Sequence, residues 1–207
     1  MAAEPGSAAH WDEAYAHGDT MRSWFQAAPE MSLRMLDAAG VTAADSVIDV
    51  GGGASPLAAA LLGRGFGDVT VLDVSAAAME HARRRLGARA GQVHWLTADI
   101  RSWRPTRRFA AWHDRAVFHF LTTESDQQGY RRALAAATGL GAVAVIGCFA
   151  PDGPRQCSGL AVARYGPGDL AAGLGPGWAL VAEDREEHIT PNGLTQPFTW
   201  IALRCTG

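Results

Sequence analysis

Short, mainly apolar runs alternate along this chain with longer stretches whose apolar positions recur at helical spacing. That pattern predicts strands buried on both faces, interleaved with helices. The first run, Val47-Ile48-Asp49-Val50, stops at Gly51-Gly52-Gly53. Beyond this turn Ser55 suits a helix cap and Pro56 a first helical position, with Leu57 to Leu62 as the body. Val69 to Asp73 reads as a second strand, Val93 to Leu96 as a third and Phe109 to Asp114 as a fourth. A helical stretch from Ser125 to Thr138 leads through Gly139 and Gly141 into a fifth strand, Ala142 to Gly147. Two longer alternating segments, Trp178 to Ile189 and Leu194 to Arg204, meet at Pro191-Asn192-Gly193, a strong hairpin signal. The order predicts an α/β fold with a mostly parallel sheet, helices on both faces and a closing antiparallel pair.

The chemistry concentrates at the ends of the first two strands. Glycine lets the backbone pass close to a ligand, and a helix start offers free N–H groups. Asp73, at the tip of the second strand, presents a carboxylate able to accept both hydroxyls of a ribose. Together these predict a site for an adenosine-containing cofactor. A dinucleotide fingerprint needs glycines at its first, third and sixth positions, but counting from Gly51 the sixth is Pro56, which argues against a pyrophosphate cradle.

The run Asp49-Val50-Gly51-Gly52-Gly53-Ala54-Ser55 resembles instead the first motif of class I S-adenosylmethionine-dependent methyltransferases, with Ser55 in place of the third glycine. The order of elements extends the likeness over about residues 40 to 207 and implies that family's seven-stranded sheet. The resemblance implies S-adenosyl-L-methionine as cofactor, with S-adenosylhomocysteine released. Gly51, Gly52, Gly53 and Ser55 would approach its methionine part. Asp73 and the neighbouring Val74 would meet the ribose, and Asp99 with Ile100 the adenine. Asp49 would support the turn and, through water, the cofactor's amino group.

The acceptor side is less explicit. His113, Asp114 and Arg115 stand at the tip of the fourth strand, with His119 a few residues on, as the candidates for shaping the acceptor site, and ionisable groups in an otherwise apolar run call for a reason. The functional expectation is that Asp114 faces the methyl end of the cofactor and that His113 or His119 meets the acceptor. The alternative is that these groups fix the turn into the next helix. Residues 1 to 40 precede the first strand and are read as an N-terminal helical cap, followed by a methyltransferase domain over 41 to 207. In this segment Trp11, Tyr15, Trp24 and Phe25 are lid candidates, as in small single-domain methyltransferases, or simply packing. The Pro- and Gly-rich stretch after the fifth strand holds Cys157, read as a loop residue. Glu186-Glu187-His188 reads as surface polarity on a late strand.

Composition narrows the classes. The 207 residues suit one α/β core, 48% of them are apolar, and the formal net charge of −3 does not point to nucleic acid. All 18 basic residues are arginines. Of these, Arg83-Arg84-Arg85 reads as a solvated helix face. No apolar run approaches the roughly 20 residues that span a bilayer, and the N-terminus lacks the pattern of a secretory signal. Cys148, Cys157 and Cys205 are odd in number and without metal spacing, and no metal is expected; a reducing, cytoplasmic setting fits them best. The motifs leave the acceptor open between a small molecule and a protein lysine, since His113 to Phe118 distantly resembles the Asp-Lys-Gly segment of small lysine methyltransferases. A nicotinamide-dependent reductase and a non-catalytic cofactor-binding module are the rivals from other classes.

Overall fold

The computed structural model describes residues 4–16 and 18–207. The strands are β1 (Val47–Val50), β2 (Val69–Asp73), β3 (Val93–Thr97), β4 (Ala111–Arg115), β5 (Val143–Phe149), a short pair β6 (Gln156–Cys157) and β7 (Leu160–Ala161), then β8 (Trp178–Ile189) and β9 (Thr195–Cys205). The α-helices are α1 (Ala8–Tyr15), α2 (Glu30–Ala38), α3 (Leu57–Gly63), α4 (Ala76–Leu86), α5 (Glu124–Ala137) and α6 (Pro167–Gly173).

Seven strands form one sheet in the order β3-β2-β1-β4-β5-β9-β8. The first five in that order are parallel, and β9 runs antiparallel to both β5 and β8. The chain therefore builds outward from β1 in one direction through β2 and β3, then returns to β4 on the other side. Such a reversal opens a crevice at the carboxyl ends of β1 and β4, where ligands of open α/β sheets bind. The fold class expected from the sequence is the one observed. The hairpin expected at Pro191-Asn192-Gly193 is present, with Gly193 at φ +77°.

Strand alternation divides the core in two. Val47, Ala111, Val143, Val145, Phe198 and Trp200 face one side of the sheet, against helices α2, α3 and α4. Ile48, Trp112, Ala144, Ile146, Ile201 and Leu203 face the other, against α5 and α6. Gly147 is required by this packing: a Cβ there would lie 2.7 Å from the indole of Trp200, which crosses β5 at that point.

The N-terminal forty residues do not behave as one cap. Met35 and Leu36 of α2 are buried in the core, so Glu30 onward belongs to the main body. The part that reaches over the sheet ends is the segment up to Gln26. No helix among the described residues is long and apolar enough to cross a membrane.

Candidate active site

A cavity of about 420 Å³ opens at the carboxyl ends of β1, β2 and β4, within the range of small-ligand pockets. Its floor is the glycine turn. Gly51 has φ +66°, and a Cβ there would come within 2.0 Å of the Val117 side chain. A Cβ on Gly52 would lie 2.5 Å from Asp49 Oδ2, and one on Gly53 would lie 2.7 Å from Asp73 Oδ2. The turn is thus packed against the two carboxylates with no room for side chains. Gly51 and Gly52 line the cavity, whereas Gly53 sits behind it against Asp73. Ser55 also lines it, and its Oγ accepts from Leu57 N at 3.1 Å, capping α3 one residue before the position expected of a cap.

Asp73 projects from the end of β2 into the cavity beside Val74. Its Oδ1 accepts from Ser75 N at 2.8 Å. Burial pushes its carboxyl up to about 7, against the pull of the backbone N–H groups of Ser75, Gly53 and Val74 and with a further rise from Asp49. A carboxylate this poorly solvated gains from extra hydroxyl donors. Asp99 and Ile100 line the same end. Asp99 is engaged by Arg101, which donates from its backbone N, Nε and Nη2 at 2.6–3.0 Å. Burial raises the Asp99 carboxyl, but the hydrogen bonds from Arg101 outweigh it and hold the group below its ordinary value. Arg101 lines the cavity too and is a site residue that the sequence reading missed.

Beside the glycine turn, His113 and Asp114 at the tip of β4 and His119 just beyond it part company. Register pairs Asp49 of β1 with His113 of β4, and His113 Nδ1 donates to Asp49 Oδ1 at 2.7 Å. The pair is almost completely buried on the face that carries Trp200, and both residues line the cavity. His113 Nε2 and Asp49 Oδ2 have no partner among the described residues. In the neutral ring, a proton on Nδ1 toward Asp49 leaves Nε2 as the acceptor.

Asp114 points to the opposite face and does not line the cavity. It accepts from Val117 N at 2.7 Å, Phe118 N at 3.1 Å and Tyr130 Oη at 2.7 Å. The expectation that it faces the cofactor's methyl end is corrected: alternation turns it into the α5 side, where it ties the exit of β4. His119 is corrected likewise. It is fully buried between Phe120 and Phe149, accepts from Phe149 N at 3.4 Å, and burial, with the charge of Arg115, lowers it to about 3. A histidine so placed is a neutral core residue.

The cover comes from the N-terminal segment. Trp11, Tyr15, Trp24 and Phe25 all line the cavity. Trp24 Nε1 donates to Tyr15 Oη at 2.8 Å, and Trp11 packs edge-on against Trp24 and Phe120. Asp12 Oδ1 accepts from the Ser75 hydroxyl at 2.6 Å, joining α1 to the start of α4. Arg85 bridges Asp19 to the Ala54 carbonyl of the glycine turn, so that arginine is not part of a purely solvated face. Glu186 and His188 also depart from surface polarity. Glu186 accepts from Gln26 Nε2 at 2.8 Å and from Trp200 Nε1 at 2.9 Å, and His188 Nε2 meets Ser23 O at 2.7 Å. They face inward because the segment covers that part of β8. Cys157, read as a loop residue, is buried and lines the cavity, and burial pushes its thiol up to about 11.

Comparison with known proteins agrees with this architecture. Residues 47–138 match the family described as a methyltransferase domain. No curated protein sequence matches the chain. A protein solved in work on the conversion of a disulfide bond into a thioacetal group during echinomycin biosynthesis is similar at 24% identity and TM-score 0.75, over 94% of this chain and 91% of that one. The N-methyltransferase NodS from Bradyrhizobium japonicum WM9, in complex with S-adenosyl-L-homocysteine, is similar at 16% identity and TM-score 0.71, over 95% of this chain and 97% of that one. The glycopeptide N-methyltransferase MtfA, complexed with sinefungin, matches at 12% identity and TM-score 0.66, over 89% of this chain and 96% of that one.

Proposed function

We propose that this chain, whose residues 47–138 match a methyltransferase domain, is a class I S-adenosylmethionine-dependent methyltransferase that methylates a small-molecule acceptor, with His113 as the group that takes the acceptor's proton. The observation that carries the reading is a single covered cavity. Its floor presents the glycine turn set between Asp73 and the Asp49–His113 pair, and Trp24 and Phe25 line the same cavity.

The residues fit the cofactor. Gly51 and Gly52 leave a side-chain-free cradle for its methionine part, and the Asp73 carboxylate has oxygens for ribose hydroxyls. Asp99, held by Arg101, would border the adenine along with Ile100. S-adenosyl-L-methionine supplies an activated methyl group on a sulfonium, which needs no acid to leave. The chain's own tasks are therefore to align the acceptor, exclude water and remove a proton where the acceptor carries one. Asp49 would hold His113 in the tautomer whose Nε2 accepts that proton. Trp24, Phe25 and Phe120 would give the acceptor an apolar, dry surface.

A small acceptor, as against a protein lysine, is supported by the cover itself, since Trp11, Tyr15, Trp24, Phe25 and Gln26 line the cavity and Ser23 and Gln26 join β8 through His188 and Glu186. NodS and MtfA are both named as N-methyltransferases, and MtfA as one acting on a glycopeptide. The test is formation of S-adenosylhomocysteine from methyl-labelled S-adenosylmethionine with a panel of small thiols, phenols and amines, beside a panel of lysine peptides. Turnover confined to the peptides would refute the small-molecule assignment. Calorimetric binding of NADH, with none for S-adenosylhomocysteine, would refute the cofactor.

A further inference from the structure

Arg115 ends β4 two residues after His113 and lies on the same face of the sheet. It lines the cavity with Trp24, Phe25, Cys157 and Leu160. One guanidinium nitrogen, Nη1, donates to the Trp24 carbonyl at 3.0 Å, and Cζ stands 4.7 Å from the centroid of the Phe198 ring. The other two, Nε and Nη2, are buried without a hydrogen-bond partner among the described residues. None of the ion pairs among the described residues includes Arg115. Glu186 acts on it electrostatically, but its two oxygens are taken by Gln26 and Trp200.

A half-buried guanidinium with two buried nitrogens unbonded and no direct ion pair is costly, and is kept where something else supplies the contact. Arginine stays charged under burial, and its planar fork matches a carboxylate with two parallel N–H donors. Here the unbonded pair is Nε and Nη2, one edge of the guanidinium, covered in this structure so that a carboxylate reaches it as the segment around Trp24 opens. We infer that Arg115 anchors a carboxylate of the methyl acceptor, so that the acceptor class is an organic acid bearing its nucleophile on an apolar or aromatic body. The inference rests on the methyltransferase reading above and names the substrate class of that same site.

Topology separates this anchor from the cofactor's cradle. The glycine turn follows β1, whereas the Arg115 side chain reaches across β5 to Phe198 on β9. Three strand spacings of about 4.8 Å separate β1 from β9, about 14 Å in all. Within β4, Cα atoms two residues apart are about 6.6 Å from one another, the span of a para-substituted benzene ring. An acid of that size would present its nucleophile to His113 with its carboxylate at Arg115. Trp24, whose carbonyl holds Nη1, would close over both.

The test is calorimetry on the full chain saturated with S-adenosylhomocysteine. The probes are 4-mercaptobenzoate, 4-hydroxybenzoate and 4-aminobenzoate, each against its own carboxamide. Wild type should bind at least one acid about tenfold or more tighter than its amide, as a charge-assisted bidentate contact requires. Arg115→Gln should bring that pair within about twofold, with S-adenosylhomocysteine affinity unchanged. No acid preference in any wild-type pair, absence of binding included, overturns the anchor. So does a preference that survives Arg115→Gln. A second arm compares S-adenosylhomocysteine with 5′-methylthioadenosine, which lacks the amino-acid carboxylate. If Arg115→Gln abolishes that discrimination, the guanidinium serves the cofactor and the inference is overturned. Should the Gln variant fail to fold by circular dichroism, Arg115→Lys decides, since an ammonium lacks the fork. A fall in acid preference of about threefold or more then supports the anchor, and an unchanged preference overturns it. Failure of wild type to bind S-adenosylhomocysteine is a separate result that refutes the methyltransferase reading, and the acid–amide comparison then runs on the ligand-free chain.

Discussion

His113 of β4 donates from Nδ1 to the Asp49 carboxylate of β1 across 2.7 Å, joining the two strands at the point where the sheet order reverses. The pair resembles a base and its orienting carboxylate, with Nε2 left without a partner. His113→Gln should therefore lower turnover about a hundredfold or more while S-adenosylhomocysteine affinity stays nearly constant. Asp49→Asn should act in the same direction through loss of the tautomer. The informative control is an acceptor already deprotonated at the assay pH, which should lose far less. An equal loss for protonated and deprotonated acceptors would show that His113 only shapes the cavity.

Asp73 gives the proposed cofactor site a pH dependence of defined sign. Burial raises its carboxyl from the ordinary 3.8 to about 7 in the ligand-free chain. A carboxyl raised on folding favours the native state most at low pH, and that advantage is lost as pH climbs from about 4 through 7. Ribose hydroxyls, by contrast, bind best to the ionised form. Affinity for S-adenosylhomocysteine should thus rise between pH 6 and 8 and then level off. Asp73→Asn should flatten the curve and weaken binding by about 1.5–3 kcal/mol at pH 8. Gly51→Ala should also abolish binding, because φ +66° and the Val117 methyl leave no place for a Cβ. Calorimetry across pH measures both effects.

The frame of the site was legible because local chemistry writes it. Gly51 to Ser55 and Asp73 each sit at the end of an apolar run, and a strand tip followed by a glycine turn has few other uses. The acceptor side was legible only in part, because it depends on which face of β4 each residue occupies. Period-two alternation puts His113 and Arg115 on one face and Asp114 on the other. Nothing in the residue types says which face borders the cavity, since both faces carry buried polar groups. That His113 meets Asp49 follows from strand order, which brings together residues 64 positions apart. Arg115 was legible as a candidate at the strand tip, but its partner was not: it meets the Trp24 carbonyl and the Phe198 ring rather than Asp114. Glu186 and His188 were unreadable without the cover that buries them, because β8 would otherwise be an ordinary edge strand.

Asp114 should behave as a structural residue. Its carboxylate satisfies two backbone N–H groups and the Tyr130 hydroxyl within a fully buried cluster. Asp114→Ala strands those donors, and each buried orphan costs about 1–3 kcal/mol. Thermal and urea unfolding should show a loss of about 3 kcal/mol or more. The folded fraction should still bind S-adenosylhomocysteine with near-normal affinity. Lost affinity in a variant of normal stability would restore Asp114 to the cofactor site.

The N-terminal segment offers the sharpest separation of folding from catalysis. Its polar contacts with the body include Asp12 with Ser75, the Tyr15 carbonyl with His81, Asp19 with Arg85, Gln26 with Glu186, Ser23 with His188, and the Trp24 carbonyl with Arg115. The core helix α2 starts only at Glu30, and Met35 and Leu36 stay with the sheet. Deleting residues 1 to 26 should accordingly leave a cooperative thermal transition, although Trp200 and His188 become solvated. Methyl transfer should fall steeply, because Trp11, Tyr15, Trp24 and Phe25 no longer exclude water or confine the acceptor. The single change Trp24→Ala should reproduce part of this loss. It removes the hydrogen bond to Tyr15 Oη and the edge contact with Trp11 but keeps the backbone carbonyl at Arg115. Turnover, KM for the acceptor and circular dichroism are the readouts. A truncated chain with full turnover and unchanged acceptor KM would reduce the four aromatic residues to packing.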